Sequence, residues 1–92
     1  MKNREVGALE GSQPVGKIVH FFPKISVAVV ELSAPLRTGE RVRIEGAHTP
    51  AFEQPVDSMQ VEHARIAEAR PGQSVGMKVA QAVREGDVVL RV

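Results

Sequence analysis

Ser58-Met59-Gln60-Val61-Glu62-His63, then Ala69-Arg70-Pro71-Gly72-Gln73-Ser74-Val75-Gly76, then Arg84-Glu85-Gly86-Asp87-Val88 decide the fold class of this chain. The stretch from Ser58 to Leu90 reads as three β-strands separated by two glycine-bearing turns. Pro71-Gly72 is a turn signal, because proline presets φ and glycine accepts positive φ without steric cost. Ser74 to Ala80 alternates, with Val75, Met77 and Val79 on one face. On the last strand Val88, Leu90 and Val92 are expected inward and Arg91 outward. Ala64 to Ala69 reads as an extended segment, and Gln81 to Gly86 has room for one helical turn.

Working upstream, Phe52 to His63 is the longest strand candidate. Its apolar phase slips: Phe52 and Val56 share one parity, Met59 and Val61 the other. A one-residue slip sends every side chain to the opposite face, so a β-bulge is expected between Pro55 and Ser58. Arg41 to Glu45 places Val42 and Ile44 on one face and Arg41, Arg43 and Glu45 on the other, which is a half-buried strand. Gly46 to Pro50 reads as a loop, and Pro35 and Gly39 interrupt any regular strand between Ser33 and Glu40, where Leu36 is free to tuck into the core. Val15–Phe22 and Ile25–Leu32 are both apolar and β-branched, separated by Pro23-Lys24, and predict an antiparallel hairpin. Both runs are more apolar than alternation requires, so their outer faces are expected to be partly covered. Residues 1–13 are polar and aperiodic and read as a tail, leaving one domain over 14–92.

Six or seven short strands with no long amphipathic helix indicate an all-β, antiparallel, closed β-barrel. Ninety-two residues make one small domain. Such a domain buries only about 60–65% of its unfolded surface, so closure or oligomerisation would add burial. Gly16 and Gly76 fall inside strands, where glycine marks a tight bend or a close approach. There is no cysteine, which excludes a disulfide framework and a thiolate metal site and fits a cytoplasmic protein. The start Met1-Lys2-Asn3-Arg4-Glu5 lacks the apolar segment of a secretory signal, and no apolar run approaches the ~20 residues of a membrane-spanning helix.

Several of these segments together resemble the second, β-barrel domain of elongation factor Tu-type translation factors. Val15-Gly16-Lys17-Ile18-Val19 is similar to its opening strand, and Leu36-Arg37-Thr38-Gly39-Glu40-Arg41-Val42-Arg43-Ile44 to its turn and third strand. Ser58–His63, Pro71–Gly76 and Gly86-Asp87-Val88 are similar to later strands and turns, so the resemblance spans Val15 to Val92. It implies a translation-factor second-domain barrel without its GTPase domain, and hence binding to tRNA, rRNA or the translation apparatus. The position of the family's adenine-contacting glutamate is taken by Gln60, which keeps hydrogen-bonding capacity and loses the charge. The chain also resembles small free-standing elongation-factor-like proteins. The C-terminal barrel of U32-type, collagenase-like peptidases is similar in kind, which implies the alternative of a protein-interaction module docking such an enzyme.

Two groups form the candidate surface for RNA or a protein partner. Arg37, Arg41 and Arg43 cluster around one turn, and arginine suits phosphate, although Glu40 and Glu45 nearby equally suit a solvated face of balanced charge. Gln60, Glu62 and His63 follow on the next strand, with Glu62 and His63 expected on opposite faces. Net charge is +1, from 12 basic and 11 acidic residues, so RNA contact would need a local patch. Only Phe21, Phe22 and Phe52 are aromatic, too few for a base-stacking platform of any size. His20, His48 and His63 fit no compact ligand spacing, so no metal is expected. No phosphate-binding Gly-x-x-x-x-Gly-Lys-Ser/Thr loop is present, and no cofactor is implied. Ser58 and His63 would lie roughly 17 Å apart on an extended strand. No nucleophile–base set assembles, so the chain reads as non-enzymatic.

Overall fold

The computed structural model describes residues 13–92. The sequence reading of 1–13 as a tail lies outside these residues, apart from Gln13, which opens the first strand. The chain forms ten strands: β1 (Gln13–Phe22), β2 (Val27–Leu32), β3 (Leu36–Arg37), β4 (Arg41–Gly46), β5 (Thr49–Pro55), β6 (Met59–Val61), β7 (Ala64–Ile66), β8 (Glu68–Ala69), β9 (Ser74–Lys78) and β10 (Val88–Arg91). Eight make one antiparallel sheet in the order β5-β4-β10-β1-β2-β9-β6-β7, and β3 pairs with β8 in a separate ribbon. The all-β antiparallel expectation therefore stands.

The expected closure does not. Among the described residues the outer strands β5 and β7 do not pair with each other, so the sheet curls without closing into a barrel. The reason lies at the end of β5. Pro55 has no N–H to offer a further ladder, and the chain leaves the sheet at 56–58. Side-chain bonds bridge the gap instead. The buried Gln54 amide donates to Lys78 O at 2.8 Å and accepts from Ala80 N at 2.7 Å. Val56 is held by the turn before β4, its N–H donating to Glu40 O and its carbonyl accepting from Gly39 N.

This geometry also corrects the long strand with a bulge. The parity slip between Val56 and Met59 is real, since both are buried, but it marks a passage between two strands. β5 pairs with β4, whereas β6 pairs with β9 and β7. The predicted loop 46–50 shrinks to the two residues Ala47-His48, because Gly46 already pairs with Thr49.

The core is one cluster fed by nearly every strand, with Val15, Ile18, Val30, Leu36, Ile44, Met59, Val75 and Met77 inaccessible or almost so. Val75, Met77 and Val79 face inward as the alternation predicts. On β10 the expected parity is reversed: Val89 is buried, while Val88 and Val92 are exposed. The inward parity carries polar ends. Asp87 accepts hydrogen bonds from Thr49 Oγ1 and Arg84 N, and Arg91 donates to Pro35 O and pairs with Glu40. Buried polar groups with partners are tolerated, so the most apolar parity was not the inward one. The helical turn expected within 81–86 does not form. That segment is irregular, and only Val83 in it is buried.

Candidate functional site

The β1–β2 hairpin runs past the core and ends in the turn Pro23–Ser26. On its outer face stand Phe22 and Val27, paired across the strands, and His20 opposite Val29. The register continues onto β9 and β6: Val29 lies opposite Gly76, and Gly76 opposite Gln60. In an antiparallel sheet directly opposed residues share a face, so one row reads His20, Val29, Gly76, Gln60. Gly76 contributes no side chain to it. The result is a shallow groove of about 500 Å³ with Gly76 in its floor, Phe22, Ile25, Val27 and Val29 on one side, and Gln60, Glu62 and His63 on the other. Its apolar wall is open to solvent. Phe22 is 45% and Ile25 58% exposed. The His20 ring packs edge-on against Phe22 at 4.4 Å between centroids and sits 3.4 Å from the Glu85 carboxylate, which fixes that end of the wall.

The polar wall departs from expectation. Glu62 and His63 are not strand residues with opposed faces; they are the two-residue turn joining β6 to β7, closed by the Val61–Ala64 pair. Both have positive φ, 51° and 68°. That is the pattern of a type I′ hairpin turn, which favours asparagine and glycine. Histidine tolerates this region better than most residues and glutamate gains little there. Ser26, in the turn on the opposite wall, also has positive φ, 55°. Two strained turns thus flank one apolar groove, and such strain gathers where a surface is held for use.

Of the six residues expected at a binding surface, Gln60, Glu62 and His63 line this groove. The three arginines do not join them. Arg41 and Arg43 lie on β4, separated from β6 by β10, β1, β2 and β9 in the sheet order, and Arg37 lies on the β3–β8 ribbon. Each arginine faces a carboxylate: Arg37 Glu68 at 3.0 Å, Arg41 Glu53 at 3.2 Å, Arg43 Glu45 at 3.1 Å. Such pairs on a solvated surface contribute about 0–1 kcal/mol each. Ile25, Val27 and Val29 were not singled out from the sequence, and Phe22 was named only among the three aromatic residues. Their signal was there in the surplus of apolar residues on both strands of the first hairpin. Among the described residues no three His, Asp or Glu side chains cluster so as to hold a metal ion.

The comparisons with known proteins bear on what such a surface serves. No protein-family model matches the chain. The chain is 41% identical over 75 residues, 82% of its length, to a protein of Methanocaldococcus jannaschii named an uncharacterized protease. It is 30% identical over 86 residues, 92% of its length, to a protein of Porphyromonas gingivalis named collagenase. It spans only 18% and 21% of those two proteins. In fold it is similar to the crystal structure of the C-terminal domain of a protein of Geobacillus thermoleovorans described as a U32 peptidase. The TM-score is 0.83 at 22% identity, covering 87% of this chain and 92% of that one. These findings overturn the translation-factor reading. The relatives in sequence are proteases, the neighbour in fold is a peptidase domain, and the tRNA role implied for Gln60 goes with the resemblance that suggested it. The chain is thus an all-β domain with the fold of a U32 peptidase C-terminal domain, related in sequence to about one fifth of the length of proteins named as proteases.

Proposed function

We propose that this chain is a non-catalytic protein-interaction domain that docks on the catalytic part of a U32-type peptidase. The observation that carries this reading is the 41% identity to a protease of which the chain spans only 18%. A module that recurs alongside a much larger protease is expected to act on, or with, the remainder. The chemistry of the surface is consistent with that. An exposed apolar groove with a polar rim is a binding feature. The test is capture from native lysate of the source organism, with the 92-residue chain as bait and mass spectrometry as readout. Recovery of a U32-type peptidase above a mock bait is the expected result. Its absence from the recovered proteins contradicts the proposal.

A further inference from the structure

Two strand glycines have different reasons to be glycine. A Cβ on Gly16 would sit 2.7 Å from Glu31 O and 2.8 Å from Val30 Cγ1, so the fold itself requires glycine there. A Cβ on Gly76 would meet Val27 Cγ1 at 3.4 Å and Gln60 O at 3.9 Å, ordinary contact distances, and its φ lies outside the left-handed region. The fold therefore accepts alanine at 76, where glycine is the weaker strand former. What glycine provides there is a notch in the outer face, at the floor of the apolar groove. Glycine inside a strand with no internal crowding marks the close approach of something else.

Charge adds a second constraint. Among the described residues, Glu31, Glu40, Glu45, Glu53, Glu68 and Glu85 each lie within ion-pair distance of a basic side chain. Glu62, on the groove rim, has no such partner among them, and a turn strained at two successive residues holds it in place. We infer that the Gly76 notch is the docking point for one apolar side chain of the peptidase's catalytic part, seated between Val27, Val29 and Phe22. A lysine or arginine beside it on the same segment pairs with Glu62. This rests on the proposed docking to a U32-type peptidase and names the surface and the chemistry of its partner segment.

The test titrates the peptidase recovered by capture, purified at full length, into the wild-type chain and three variants: Gly76→Ala, Phe22→Ala and Glu62→Lys. Glu53→Ala, outside the residues that line the groove, is the control. Each variant is expected to weaken binding about tenfold, as loss of a central contact does, and the control to leave it unchanged. Gly76→Ala should do so while its melting temperature equals or exceeds that of the wild type, which a merely structural role would not produce. Wild-type affinity in all three variants, or equal weakening by Glu53→Ala, overturns the groove assignment and leaves the docking proposal standing. Failure to recover or bind any peptidase overturns both.

Discussion

At the scale of single residues, local conformation and local space separate residues that serve the fold from residues that serve a surface. Glu62 and His63 occupy backbone positions for which their side chains are poorly suited. Relief of that strain predicts that His63→Gly stabilises the domain by about 1 kcal/mol, raising the melting temperature by about 4–8 °C for a domain of this size; a lowered value would show that the His63 side chain makes a stabilising contact. Gly16→Ala should do the opposite. Overpacking against a neighbouring strand costs about 1–3 kcal/mol, read as a lower denaturation midpoint at unchanged m-value. The turn glycines were legible in the sequence: Gly39, Gly72 and Gly86 all have positive φ, between 89° and 94°. The Glu62-His63 turn was not, because neither residue carries a turn signal and both read as the end of the strand Phe52 to His63.

At the scale of elements, alternation was a good guide where one face was apolar and the other was not, as on β4 and β9. It failed on β10, where Val88, Val89 and Leu90 offer apolar residues to both faces. There the outcome turned on Asp87 and Arg91, whose inward ends find hydrogen-bond partners supplied by Thr49 and Pro35, distant in sequence. No local pattern announces such partners. The same holds for Gln54, whose inward position broke no rule visible in the sequence yet spans the gap between β5 and the segment after β9. Removing it with Gln54→Leu leaves Lys78 O and Ala80 N unsatisfied. The expected cost is about 1–3 kcal/mol, with faster hydrogen exchange at the Ala80 amide as the local signature. Unchanged exchange there would mean that the bridge contributes nothing to holding the sheet curled.

At the scale of the whole molecule, one small apolar core is wrapped by a curled sheet, and the outer surface of the first hairpin carries exposed apolar residues outside it. Strand content and antiparallel pairing could be read from the spacing of turn residues, but open and closed sheets share that pattern, and so do the small β-domains of unrelated proteins. That is why the same residues suggested a translation factor ahead of a peptidase. The arginines and Gln60, expected on one surface, stand apart: β10, β1, β2 and β9 intervene between Arg41 and Arg43 on β4 and Gln60 on β6, and Arg37 lies on the separate β3–β8 ribbon. The groove instead assembles residues 22–29, 60–63 and 74–76, which no reading of neighbours in sequence would collect. Light scattering on an equimolar mixture of the chain and the peptidase, eluting from a sizing column, decides whether this domain docks on a U32-type peptidase. Docking gives a species with the summed mass of the two. Two peaks at the separate masses, at concentrations of tens of micromolar, would contradict it.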